Sequence, residues 1–220
     1  MTPEELQAKA LTLYDEYHPQ QSIDNDLSLF IHTFLQTYMN DFLCLLPAHC
    51  IGSSFTASYS NPIATPINYK GGCITLPSDF LKLNVFRMSD WERSVYPEEV
   101  ISSSHPHRKL QDNKFTSGKI SRPVVSIEQP NGVLSLCFWQ YGDNAAVKEF
   151  SYTKKAQNLT DFAALDDYLL TAYIYFVLHY VFTTTQDLQL AQNSIQEMQS
   201  ILLLHNIMPS LPVTFNTAKK

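Results

Sequence analysis

The sequence has 220 residues, with 15 Lys and Arg against 21 Asp and Glu for a net charge of −6, and only 16% of its residues are charged. An average soluble chain is about 25% charged. Its 45% hydrophobic share, with 13 Phe and 12 Tyr, excludes an acidic disordered chain, which needs high charge and few aromatics.

The length suits one domain, or one with a sizeable insertion. So little charge leaves neutral surface that is easier to bury against another subunit, because desolvating charge is costly. The densest basic stretch, 109–119, holds Lys109, Lys114 and Lys119 interrupted by Asp112, which is no electrostatic footprint for nucleic-acid binding. Cys44, Cys50, Cys73 and Cys137 form no C-x-x-C and no Cys/His cluster at zinc spacing. They are expected to be small reduced core residues in a cytosolic setting. The acidic start Met1-Thr-Pro-Glu-Glu lacks the apolar stretch of a signal peptide. The apolar run 169–182 (LLTAYIYFVLHYVF) is too short for a membrane span, which needs about 20 residues, and reads as a buried helix.

In chain order, Thr2-Pro-Glu-Glu opens a helix: Thr2 as N-cap, Pro3 at the first helical position, Glu5 three residues on as the reciprocal cap. This helix runs to Tyr17, before Pro19. A second helix starts after Ser22 or Asp24 and carries a broad stripe from Leu27 through Phe30, Phe34, Tyr38 and Phe42 to Leu45, ending at Pro47. Residues 48–72 lose all periodicity and read as a long extended loop, with an edge strand as an alternative around 53–59.

Residues 73–155 read as an inserted antiparallel β-unit of four or five strands. They include the alternating run 81–88, the run 124–127, and a hairpin at Asn131-Gly132, since both residues tolerate positive φ. From Thr160 the helical period returns in an element apolar nearly all round, the expected central helix, and a last helix fills 187–205. Residues 206–220 form an apolar tail that either frays or docks on another chain. The fold class is therefore α+β. A helical bundle core is built from residues 1–47 and 156–205, with the β-unit inserted between them.

Catalytic patterns are missing: no G-x-S-x-G, H-E-x-x-H or phosphate-binding glycine loop occurs, and there are only six glycines. Asp166-Asp167 and Glu98-Glu99 are neighbours that cannot face each other as an acid/base pair. His179 reads as a hydrogen-bonded interior residue. No catalytic residue, cofactor or metal is expected. Trp91, flanked by Asp90, Glu92 and Arg93, reads either as a turn with a partly buried indole or as an interface anchor, since Trp and Arg are enriched at hot spots.

Three groups of residues carry a resemblance: Leu76-Pro-Ser-Asp-Phe-Leu-Lys-Leu, Met88-Ser-Asp-Trp-Glu-Arg-Ser-Val, and Lys109-Leu-Gln-Asp-Asn-Lys-Phe-Thr-Ser-Gly with Arg122-Pro-Val-Val. Taken in this order before two closing helices, residues 22–205 resemble the neck proteins of tailed bacteriophages. The closest likeness is to the head-to-tail adaptor or ring proteins of crAss-like phages. The match is poorer over 48–72. The resemblance implies a dodecameric ring of this chain docked beneath the portal protein and onto the next neck or tail ring. Genomic DNA would pass through its lumen without sequence-specific binding, with no membrane involved. It implies a virion protein, assembled in the host cytoplasm and not an enzyme. The expected interface residues are Trp91 and Arg93, with Pro209, Leu211, Val213 and Phe215 of the tail. The rival readings are a neck or tail protein with peptidoglycan hydrolase activity and a cytosolic interaction module unrelated to virions.

Overall fold

The structure is a computed structural model, and it describes residues 1–17, 25–59, 65–68, 71–113, 115–117, 119–142 and 145–207. In chain order the elements are α1 (Pro3–Tyr17), α2 (Asn25–Thr37), α3 (Met39–Leu45), β1 (Thr56–Ser58), β2 (Thr65–Asn68), β3 (Gly71–Thr75) and β4 (Phe80–Met88). Then come β5 (Ile101–Ser102), the short α4 (Pro106–Leu110), β6 (Val124–Glu128), β7 (Ser135–Trp139), β8 (Val147–Lys154), α5 (Leu159–Phe162), α6 (Asp167–Thr184) and α7 (Leu188–Leu204). The class is α+β. Two compact units divide the chain, residues 1–55 with 156–220, and residues 56–155.

In the first unit the reciprocal cap at the start of α1 forms as its sequence directs. The Glu5 N–H donates to Thr2 Oγ1 at 3.2 Å, and the Thr2 N–H donates to the Glu5 carboxylate at 2.7 Å. α6 packs against α1, α2, α3 and α7, and ten of its residues, among them Leu169, Tyr173, Phe176 and Phe182, are buried. Burying a large apolar side chain contributes about 1.5–3 kcal/mol, so α6 is the main source of hydrophobic stabilisation here. Its one buried phenol is satisfied: Tyr173 donates its hydroxyl to the Leu35 carbonyl. Burial foremost, then the charge of Asp41, pushes that hydroxyl well above its usual range.

The expected single second helix is broken at Tyr38, which has φ −95° and ψ 5°. The Tyr38 ring stacks on Tyr180 at 4.0 Å. The helical stretch expected from Thr160 is likewise two elements. Asn158 caps α5 by accepting the Asp161 N–H at 2.8 Å, and α6 begins afresh at Asp167. A turn with Gln186 at φ 66° then separates α6 from α7, whose N-cap Asp187 accepts the Leu190 N–H.

The second unit has two sheets, a three-stranded β1-β8-β4 and a five-stranded β2-β3-β7-β6-β5. All pairings are antiparallel except β5 with β6, which is parallel. Alternation sends Ile74, Val125, Leu136 and Phe138 of one sheet and Phe86, Phe150 and Tyr152 of the other into a shared core. At Gly72 the Phe138 ring packs close to the backbone: a Cβ there would lie 3.1 Å from the ring, so a larger residue would need the ring to shift. On the other face of the larger sheet, Cys73, Cys137 and Trp139 form a small cluster with Val124.

Four expectations change. Residues 48–72 are not one extended loop. They carry a 3-10 turn at Ala48–Cys50 and the edge strands β1 and β2, which are short and rich in Ser, Thr, Pro and Asn, so they leave little alternation to read. Over the expected β-unit, 73–155, the described residues hold six strands, β3 to β8, not four or five, and β1 and β2 bring the second unit to eight. β6 and β7 do form a hairpin, with Glu128 opposite Ser135, but the link is residues 129–134 with a 3-10 turn at Pro130–Gly132 and not a two-residue turn. Gly132 alone of that turn has positive φ, at 78°. Finally, Cys73 and Cys137 are joined in a disulfide, with Cα atoms 4.1 Å apart. They lie directly opposite each other in the β3–β7 register, a proximity that their separation of 64 residues hides. Cys44 is exposed and Cys50 half-buried, so neither is a core residue.

Candidate functional site

The segment after β4 turns back on its own strand. Phe86 and Val95 exchange both backbone hydrogen bonds, at 2.9 and 2.8 Å. This places Trp91 inside the unit: it is 2% exposed and packs edge-on against Phe86 and Phe138. Its indole N–H donates to the Gln140 carbonyl at 2.8 Å, and Arg87 braces the turn by donating to the Trp91 carbonyl at 3.1 Å. Of the two readings of Trp91, the turn with a buried indole is the one this geometry matches, and the interface anchor is not. An indole buried and bonded within its own unit presents no surface to a partner. Arg93 stays on the surface, paired with Glu99, whose carboxylate also accepts the Tyr96 N–H at 3.1 Å. Pro209, Leu211, Val213 and Phe215 lie outside the described residues.

The other residues singled out in the sequence are scattered. His179 Nδ1 lies 2.9 Å from the Ala191 carbonyl, bonding α6 to the start of α7. Asp166 is the N-cap residue of α6 and Asp167 lies in its first turn, where a carboxylate faces the positive end of the helix dipole. Asp167 also sits 3.6 Å from the N-terminal ammonium. Glu98 and Glu99 lie in a 3-10 turn at Pro97–Glu99. Among the described residues no group of three His, Cys, Asp or Glu is placed to hold a metal ion, and no helix is long and apolar enough to cross a membrane.

The sequence reading quoted 109–118 for the resemblance and gave no surface role to the segment 103–122. α4 lies against β6, and Arg108 is its fixed point. The Arg108 guanidinium stacks over the Trp139 ring at 4.4 Å, bonds Asp112 through both carboxylate oxygens at 3.0 Å, and pairs with Glu128. A cation held over an aromatic face and by two carboxylates is a rigid mount. From this mount the chain holds apolar side chains out to water: Phe115 is 92% exposed, with Leu110 and Ile120 also exposed. A signal was present in the sequence, since Phe115 stands amid Asn, Lys, Thr and Ser with no periodicity to bury it. In the helical unit Leu203 and Leu204 are exposed at the end of α7.

Comparison with protein-family models and with curated proteins finds no match to this sequence.

Proposed function

We propose that this chain is a structural ring protein of a phage neck, joining the portal to the tail and continuing the DNA channel. The observation that carries the reading is Phe115, exposed with Leu110 and Ile120 on a segment that Arg108 pins to β6. Exposed apolar side chains on a fixed mount mark an interaction site, and the low charge of the chain suits burial between subunits. The motif order that resembles head-to-tail adaptors supports the same reading.

In this reading the helices from both ends of the chain form one bundle core that makes the rigid annulus, and the β-unit is its insertion. Each copy meets two neighbours through a heterologous contact that closes into a ring, twelve copies by the resemblance. Arg93 and the tail residues Pro209, Leu211, Val213 and Phe215 contribute to contacts with neighbours, the portal or the next ring. DNA passes through the lumen without sequence-specific binding, helped by the net negative charge. The role is mechanical, with no catalysis and no cofactor, and the location is the virion.

The test is to incubate the purified chain with the portal protein encoded in the same genome and to separate the mixture on a density gradient. Comigration of the two proteins is the expected result. Migration as separate species at micromolar concentration of both contradicts the reading.

A further inference from the structure

Charge divides unevenly between the two units. Residues 1–55 with 156–220 hold twelve Asp and Glu against three Lys, while residues 56–155 hold twelve Lys and Arg against nine Asp and Glu. The basic excess is concentrated in segment 103–122, which has five Lys and Arg and one Asp. Arg108 is spent on its mount, paired with Asp112 and Glu128. Lys109, Lys119 and Arg122 are exposed and enter no salt bridge among the described residues. They share the segment with exposed Leu110, Phe115 and Ile120. An apolar patch with a cationic rim fits an apolar patch with an anionic rim: burial supplies affinity, and opposite charge decides which partner is accepted.

The helical unit carries such a patch at one end. The Tyr168 ring stacks on His205 at 3.9 Å, which brings the start of α6 beside the end of α7. Asp166 and Asp167 are exposed at that start, and Leu203 and Leu204 are exposed at that end. Asp167 lies 3.6 Å from the N-terminal ammonium, yet 80% of its side chain stays open to water, so it remains within reach of a second cation. The charges also select the pairing. Two basic segments repel each other, as do two acidic helix ends, so neither patch pairs with its own image. Phe115 is 92% exposed in a single chain, which leaves it for a second one.

We infer that segment 103–122 of one copy docks on this end of the helical unit in the neighbouring copy. Phe115 packs against Leu203 and Leu204, and the basic side chains face Asp166 and Asp167. The inference rests on the ring reading and names its subunit contact. Donor and acceptor are different surfaces of the same chain, the heterologous arrangement that closes a ring. A copy that loses its neighbour also loses that neighbour's hold on the portal.

The test uses full-length chains and sedimentation equilibrium, with circular dichroism to show that each variant is folded. The donor variant is Lys109→Glu with Lys119→Glu. The acceptor variant is Asp166→Lys with Asp167→Lys, and Leu204→Lys, at an exposed position, serves if the start of α6 does not tolerate that pair. The wild-type chain is expected to self-associate, and each variant alone to do so at least about tenfold more weakly. An equal mixture of donor and acceptor variants is expected to regain association, because the intact basic segment of one meets the intact acidic end of the other. No association of the wild-type chain at about millimolar concentration overturns the inference. Variants that associate as tightly as the wild type overturn it too. So does a mixture no more associated than its parts, since the two surfaces then do not meet between copies. Rings on the portal that persist in both variants defeat this contact and leave the ring reading standing. Association regained by the mixture, in chains that never join a portal, defeats the ring reading and leaves the contact standing.

Discussion

The indole N–H of Trp91 donates to the carbonyl oxygen of Gln140, 2.8 Å away and 49 positions along the chain. Gln140 has φ 70°, so the bond ties the turn after β4 to a left-handed residue at the end of β7. Replacing Trp91 with Ala is expected to cost about 3–5 kcal/mol by leaving a cavity between Phe86 and Phe138. Trp91→Phe is expected to cost less, chiefly by leaving the Gln140 carbonyl unpaired. Urea titration followed by circular dichroism checks both. A Trp91→Phe chain that keeps its stability but loses binding to partners would return Trp91 to an interface.

Tyr152 donates its hydroxyl to Asp79 at 3.0 Å. Burial first, then that hydrogen bond and the Asp79 charge, push the Tyr152 hydroxyl up to about 12 from an ordinary 10. The protonated phenol is thus favoured in the folded state. Its stabilisation is complete below pH 10 and is lost as pH rises from 10 towards 12. Tyr152→Phe is expected to cost about 1–2 kcal/mol at neutral pH and to flatten the fall in stability across that alkaline window. Denaturation midpoints measured at pH 8, 10 and 11 test the sign, and identical slopes in both proteins contradict it.

The Cys73–Cys137 disulfide closes a loop of 64 residues. Loop-closure entropy sets its contribution at no more than about 4 kcal/mol. Reduction, or the double change Cys73→Ala and Cys137→Ala, is expected to remove about 2–4 kcal/mol. A thiol count in non-reducing denaturant is expected to give two, from Cys44 and Cys50, and four after reduction. Four before reduction contradicts the bond.

How much of this was legible in the sequence divides along one physical line. The start of α1 was readable, because its cap is a contact between Thr2 and Glu5. α6 was readable as the central helix because its apolar side chains run nearly all round it. Both signals are local. Pairings between distant strands are not local, and nothing near Cys73 says that Cys137 will lie opposite it. β4 pairs with β8 across 59–74 residues of intervening register, and two-residue β5 carries no periodicity at all. Trp91 was left between two readings. Its charged neighbours suggested a surface turn, and only the return of Val95 onto Phe86 puts the indole inside. Phe115 was visible in the sequence and passed over, since an isolated aromatic in a polar loop has no pattern to stand out from.

Phe115→Ser tests that residue directly. A side chain 92% exposed contributes almost nothing to folding, so stability is expected to hold within about 0.5 kcal/mol. Comigration with the portal protein is expected to weaken roughly tenfold or more, the scale of a lost aromatic hot spot. Unchanged binding by Phe115→Ser would remove segment 103–122 from the proposed surface.

The central claim is that copies of this chain close into an annulus on the portal. Electron microscopy of the purified protein bound to portal particles measures that without an intermediate assumption. The account predicts class averages with a closed ring of additional density whose bore continues the portal channel. Open filaments, isolated single copies on the portal rim, or portals with no added density would contradict it.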